Sequence, residues 1–352
     1  MAQRKISVII PCYNVSKYVD QCLQTLEKQT IGMDSLEIIL INDASTDATL
    51  GKLLLWEMKY PENIMVIPLE QNVMQGAGRN IARQYCSGEY IAYLDADDWI
   101  LPETLEKTYE AAKKYDADIV NYLSKKTFKG PDETDTDTES GIEDRFVEIS
   151  DPDQRRGLFM DESCPLIRGC WDKLFKKSFV EENDLLFKEG VFDEESLFTI
   201  PAYMKMTRIY FLNEYLHRYF QNPMGSAHNL VADMKRRDDN AKTWMSVYDK
   251  LSEMGVLEEN HELCEWFFVI NYFIRSFVYA AQRHIAYDAQ TVCAMQDTVR
   301  RLFPDYKQNK SLLRGGFYTE AMKFIDISVS EENIDSYNMV WRQIVETLGE
   351  NL

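Results

Sequence analysis

The sequence predicts an α/β fold, a mostly parallel sheet with helices on both faces, followed by an α-helical C-terminal domain. Three observations predict it. Short β-branched runs alternate with helical patterns over the first third of the chain. The connections between successive runs are too long for hairpins, as parallel strands require. After about residue 230, apolar residues recur at three- and four-residue steps, the helical period.

The elements follow in order. "KISVII" (5–10) reads as a buried strand that stops at Pro11, which cannot donate to a ladder. "VSKYVDQCLQTLEKQT" places Tyr18, Val19, Cys22, Leu23 and Leu26 on one helical face. "LEIILIN" (36–42) is a second strand, and "DASTDATLGKLLLWEM" turns into a second helix capped by Ser45 or Asp47. "NIMVIP" is a third strand, "QGAGRNIARQYC" a loop running into a third helix, and "EYIAYL" a fourth strand. "PETLEKTYEAAKKY" opens with proline at a first-turn position and reads as a helix, and "ADIVNYL" is a fifth strand. The acidic stretch 129–150, with few apolar residues, reads as a mobile surface loop. Three segments of the last third carry helical spacing, among them Trp244, Met245, Tyr248 and Leu251, then Val292, Met295, Val299 and Leu302. The domains expected are therefore 1–228 and a helical 229–352.

Composition narrows the function. A net charge of -19 opposes nucleic-acid binding, which rests on Lys and Arg neutralising phosphates. It does not oppose binding of a small polyphosphate if a metal supplies counter-charge. The seven cysteines show no C-x-x-C or zinc spacing and read as small buried hydrophobes. With no apolar leader at the N-terminus, the expected location is cytoplasmic, and contact with the inner face of a membrane stays open. No run of roughly 18 apolar residues exists that would span a bilayer. The nearest, "WFFVINYFIRSFVYAA" (266–281), is interrupted by Asn271, Arg275 and Ser276 and reads as a buried helix rather than a partner or membrane face.

Chemistry enters with "YLDADDW" (93–99). Three carboxylates, Asp95, Asp97 and Asp98, follow an apolar strand, where like charges repel and something positive is needed. A calcium loop starting at Asp95 fails, because Ile100 stands where the turn needs glycine. A phosphatase loop of haloacid-dehalogenase type would use Asp95 as nucleophile and Asp97 as acid/base, but Trp99 stands where that loop carries threonine or valine. A D-x-D clamp would hold a divalent ion that bridges the phosphates of a nucleotide diphosphate. "GAGRNI" lacks the third glycine of a dinucleotide loop, so that reading is discarded.

Four segments in order, "ISVIIPCYN", "IILINDASTDAT", "NVMQGAGRNIA" and "GEYIAYLDADDW", each end a predicted strand. Ligands of open α/β sheets bind at those carboxyl ends. Together the segments resemble the family 2 glycosyltransferases, with their Rossmann-like GT-A fold, and in particular those that build bacterial surface polysaccharide or teichoic acid. The resemblance covers roughly residues 6–228. It implies that Pro11, Tyr13 and Asn14 form the first nucleotide-contacting loop, that Asp43 holds the base or ribose, and that Arg79 lies beside the nucleotide. It implies that Asp95 and Asp97 are the D-x-D, with Asp97 ligating Mn2+ or Mg2+ directly and Asp98 as an extra aspartate.

The family transfers a sugar with inversion, which needs a carboxylate to take the acceptor's proton. The family's E-D-x-x-F matches Glu194-Glu195-Ser196-Leu197-Phe198, so the base position is Glu195 in place of aspartate, with Glu194 and Asp193 as rivals. "GCWDKLF" (169–175) resembles the W-x-K-L segment and implies that Trp171 meets the acceptor. Beyond the base, Arg218, Ser226 or His228 would close over the diphosphate, and His228 would complete the metal shell.

The reading is an inverting, metal-dependent hexosyl- or N-acetylhexosaminyltransferase. It would move sugar from a nucleotide-diphosphate donor, UDP-linked by family tendency, to a glycan, lipid-linked or polymer acceptor. The alternatives are the phosphohydrolase and an inactive sugar-nucleotide-binding module. The C-terminal helices would serve acceptor binding, homo-oligomerisation or membrane-surface docking.

Overall fold

The computed structural model describes residues 4–130, 136–221, 230–314 and 316–348. The chain divides into two compact units, residues 1–155 with 163–225, and residues 156–162 with 226–352.

The first unit carries, in chain order, β1 (Ile6–Cys12), α1 (Val19–Glu27), β2 (Leu36–Asn42), α2 (Thr49–Lys59), β3 (Ile64–Pro68), α3 (Met74–Arg83), β4 (Tyr90–Tyr93) and β5 (Trp99–Ile100). After these come α4 (Thr104–Tyr115), β6 (Ile119–Thr127), β7 (Arg145–Glu148), α5 (Pro152–Met160, whose residues from 156 on belong to the second unit), β8 (Lys173–Lys176), α6 (Lys177–Glu182), α7 (Ser196–Lys205) and β9 (Arg208–Phe220). The sheet order is β3-β2-β1-β4-β8-β6-β9-β5, with β7 on β9. From β3 to β4 all pairs are parallel, as the strand–helix alternation requires. Beyond β4 the sheet becomes mixed, because β8 inserts antiparallel between β4 and β6.

Two local departures from expectation have simple causes. β1 does not stop at Pro11 but runs through it to Cys12, paired with Ile41 and Asn42 of β2. The Ile9 carbonyl accepts from Leu94, so alternate residues of β1 face β4. Pro11 therefore faces β4 just beyond its end, where the missing N–H breaks no ladder bond. The acidic stretch is not loose where it is described. β7 lies inside it and pairs with β9, Phe146 stacks on Tyr115 at 4.9 Å, and Asp144 accepts from the Asn213 amide at 2.7 Å.

Register decides where the loops go. Cys12 lies beside Asn42, Asn42 beside Pro68, and Ile9 beside Tyr93, so β1 to β4 end on one edge. β8 runs the other way from β4, with Leu174 beside Ala92, so the chain entering β8 starts from that same edge. Under the edge, side chains of β1 and β2 such as Val8, Ile10, Ile38 and Leu40 form a buried core with α1 and α2.

The second unit is helical: α8 (Leu230–Glu253), α9 (Val256–Glu259), α10 (His261–Phe268), a π-helical segment (Val269–Ile274), α11 (Arg275–Gln282), α12 (Ala289–Leu302), α13 (Gly316–Met322) and α14 (Ile334–Leu348). The apolar run 266–281 is buried here as expected, with Arg275 exposed. Trp341 stacks on Phe277 at 5.0 Å and meets Phe324 at 4.8 Å. Among the described residues no helix is long and apolar enough to cross a membrane. All seven cysteines are free thiols.

Candidate active site

The loops after β1 and β2 are buttoned together. Asn14 sits at a φ of 53°, a left-handed conformation that asparagine tolerates. Its Oδ1 accepts from the Thr46 amide at 2.8 Å, and its own amide donates to Ser45 Oγ at 3.1 Å. Asp47 accepts from the amides of Ser16 and Thr49. Burial pushes its pKa up, but hydrogen bonds from the side chains and amides of Ser16 and Thr49 outweigh burial and bring it down to about 2. Pro11 is buried in β1, whereas Tyr13 is 45% exposed at the rim. The Asp43 carboxylate is buried, and its two oxygens accept from the amides of Val73 and Met74 at 2.7 and 2.9 Å. It thereby ties the second loop to the start of α3.

α3 presents a polar stripe at helical spacing: Gly76, Arg79, Asn80 and Arg83. Opposite lies the segment 185–194. Arg83 donates to the Leu185 carbonyl at 2.7 Å, and Asn80 exchanges hydrogen bonds with the Phe187 backbone at 3.0 Å. A Cβ at Gly76 would stand 2.3 Å from the Lys188 carbonyl and 3.0 Å from the Glu194 side chain, so glycine is needed for this approach. Arg79 is almost completely buried and spans two chain segments. One arm of its fork donates to Glu194, the other to Asp95 at 2.8 Å, and its guanidinium lies over the Phe187 ring at 5.2 Å. This is the positive charge that the crowded carboxylates required.

The turn carrying the aspartates closes through the Asp98 amide on the Asp95 carbonyl at 3.0 Å. Asp95 and Asp97 are half-buried, while Asp98 is buried. Asp98 accepts from the Phe220 amide at 2.8 Å and faces His217 Nε2 at 3.2 Å, and the other ring nitrogen of His217 meets Ser124 Oγ at 2.8 Å. Burial pushes Asp98 well above the usual carboxylate range and His217 down to about 4. Asp98 is thus an internal anchor between the turn and β9. The exposed-side pair is Asp95 and Asp97. Their hard carboxylate oxygens suit Mg2+ or Mn2+, cations that keep several positions for water and phosphate. Among the described residues no cluster of three His, Cys, Asp or Glu side chains placed to hold a metal ion exists. His228 and Ser226 lie outside the described residues. Arg218, expected near the diphosphate, is fully buried and donates to the carbonyls of Tyr215 and Asp137 at 2.6 and 2.9 Å.

The neighbouring glutamates differ. Glu194 is buried on Arg79. Glu195, half-buried at the start of α7, points its Oε1 at the Cys170 amide and thiol, 3.1 and 3.2 Å away. Burial is the main force pushing Glu195 up to about 7, opposed by Arg79 and reinforced by Glu194 and Asp95. Asp193 stands at a φ of 57° before them. Next to Cys170, the Trp171 indole folds back over Gly169, where a Cβ would meet it at 2.8 Å. Trp171 also stacks with His217 at 4.7 Å and with Tyr219 at 5.5 Å.

Sequence reasoning missed Asn80, Arg83, Cys170, His217 and Tyr219. Two signals were present: a polar stripe on α3 where an apolar one was due, and aromatic alternation in "LHRYF", which sets His217 and Tyr219 on one face of β9.

Residues 7–182 match the family profile described as Glycosyl transferase family 2. Over 218 residues, 61% of the chain, the sequence is 34% identical to the Poly(ribitol-phosphate) beta-glucosyltransferase of Bacillus spizizenii, of which the match covers 32%. The chain spans about a third of the length of that relative. The crystal structure of S. aureus TarS 1-349 in complex with UDP shares the fold, with a TM-score of 0.67 at 20% identity, covering 98% of this chain and 92% of that one. The mannosyltransferase PcManGT from Pyrobaculum calidifontis, in complex with GDP-Man and Mn2+, shares it more distantly, with a TM-score of 0.52 at 14% identity, covering 100% of this chain and 89% of that one.

Proposed function

The chain belongs to glycosyl transferase family 2, and from that premise we propose that it transfers a hexosyl or N-acetylhexosaminyl group, with inversion, from a UDP-sugar to a hydroxyl of a glycan or polyol-phosphate polymer. The observation that carries the reading is Arg79. It joins the first aspartate of the D-x-D to Glu194, the neighbour of the candidate base Glu195 just before α7, so one buried cation ties the donor clamp to the segment of the candidate base.

Residues 1–228 perform the chemistry, and 229–352 serve acceptor binding or assembly. Tyr13, Asn14 and Asp43 line the nucleotide end. Asp97 and Asp95 would hold Mn2+ or Mg2+, which when bound would supply the counter-charge for the departing diphosphate. The acceptor hydroxyl lies against Trp171. Glu195 takes its proton as the oxygen bonds to the anomeric carbon, and the bond from that carbon to the diphosphate breaks on the opposite side. Arg79 bridges Glu194 and Asp95 and is not consumed. Family membership removes the aspartyl-phosphate alternative.

The test is thermal unfolding with UDP and with other nucleotides, with and without Mn2+, on the wild type and on Asp97→Asn. At about a hundred times its dissociation constant, a ligand of the native state stabilises it by roughly 2.7 kcal/mol. The expected result is a metal-dependent shift with UDP that Asp97→Asn loses. Absence of a shift with any nucleotide sinks the reading.

A further inference from the structure

We propose that Cys170 is the positioning residue of the base: its thiol and its backbone amide both donate to Oε1 of Glu195, leaving Oε2 to take the acceptor's proton. The inference rests on the reading of Glu195 as base.

The geometry is specific. Both donors come from one residue, at 3.1 Å from nitrogen and 3.2 Å from sulfur, and both meet the same oxygen. Cys170 is fully buried. Burial and the facing carboxylate push its thiol well above the ordinary range, so it stays S–H and remains a donor. The strap that carries it is held by two hydrogen bonds to adjacent carbonyls just before Cys170. Lys173, itself buried, donates to the Gly169 carbonyl at 2.8 Å, and Thr199 of α7 donates to the Arg168 carbonyl at 2.8 Å. The strap and the first turn of α7 are thus one unit, and a glutamate side chain with three rotatable bonds is held to one orientation. This offsets the longer reach of glutamate where the family carries aspartate. The charged groups facing Glu195 are Arg79 from α3, Glu194 from its own segment and Asp95 from the end of β4. Arg168 approaches Ser196 at 3.5 Å on the strap side.

A thiol is a weak donor, and its bond favours the charged form of the carboxylate. Two measurements test the proposal. The first is the infrared S–H stretch, isolated by subtracting Cys170→Ala from wild type and followed across neutral pH. The band is expected to shift as Glu195 ionises, and to lose that pH dependence in Glu195→Gln. A band that ignores pH in the wild type overturns the contact. The second is the pH profile of UDP release from UDP-N-acetylglucosamine and UDP-glucose. In Cys170→Ala the acid limb is expected to move up by roughly half a unit to one unit, the worth of one hydrogen bond. In Cys170→Ser, which restores a donor, it is expected to return. An unmoved limb in Cys170→Ala overturns the positioning role. If the band titrates but Glu195→Gln turns over normally, the base assignment fails while the contact stands. The UDP-dependent thermal shift shows that each variant is folded.

Discussion

Glu194 and Glu195 are neighbours with opposite environments, and that difference decides which one can exchange a proton. Glu194 is held by a buried guanidinium, whereas Glu195 receives only an amide and a weak thiol donor. Only the ionised carboxylate accepts a proton, and Glu195 is pushed up to about 7. The rate is therefore expected to rise with pH through about 7 and to be low below it, read from kcat/KM for UDP release. Glu195→Gln keeps the shape and the hydrogen bond from the Cys170 amide but not the basicity. Turnover is expected to fall by at least about 100-fold with the UDP-dependent thermal shift unchanged. A shift without turnover in the wild type would instead identify a binding module. At this scale the residue types were legible from the ordered motifs, but the partners were not. The motif places Arg79 beside the nucleotide, but its pairing with Glu194, 115 positions away in sequence, has no local signal.

Among the elements, α3 carries most of the site's organisation. Its stripe from Gly76 to Arg83 seats the segment that carries the proposed base, and its first amides are held by Asp43. Adding a methyl group at Gly76 places it 2.3 Å from a backbone carbonyl, which cannot swing away as a side chain could. Gly76→Ala is expected to cost about 1–3 kcal/mol, as overpacking does, and to lower turnover more than nucleotide binding. Denaturant unfolding and the split between kcat and the dissociation constant of UDP check it. Arg79→Met leaves Asp95 and Glu194 without their cation. A destabilisation of roughly 3–5 kcal/mol is expected, measured by the same unfolding. In the sequence the glycines of "QGAGRN" invited comparison with a dinucleotide loop. Their use here is close approach between chain segments, which spacing alone does not distinguish. The strand within the acidic stretch was hidden for a related reason, because β7 draws its support from β9 and not from its own composition.

At the scale of the whole chain, two cores hold two units. Trp341 is fully buried between Phe277 and Phe324 in the helical unit. Trp341→Ala is expected to cost about 3–5 kcal/mol. Hydrogen exchange should show protection lost along α11 and α14 while β1 and β2 keep theirs, since each unit has its own core. The sequence by itself determined the α/β class, the parallel order of the first strands, the helical character of the last third and the family. These are periodic or local properties, written in the spacing of apolar residues and in motifs that end strands. Only the tertiary structure decided that β8 enters the sheet beside β4, and that Arg79 joins Asp95 to Glu194. It also decided that Asp98 anchors the turn to His217 and that Cys170 meets Glu195. Each of these depends on contacts between residues far apart in the chain, made favourable by burial and charge compensation that no single segment contains.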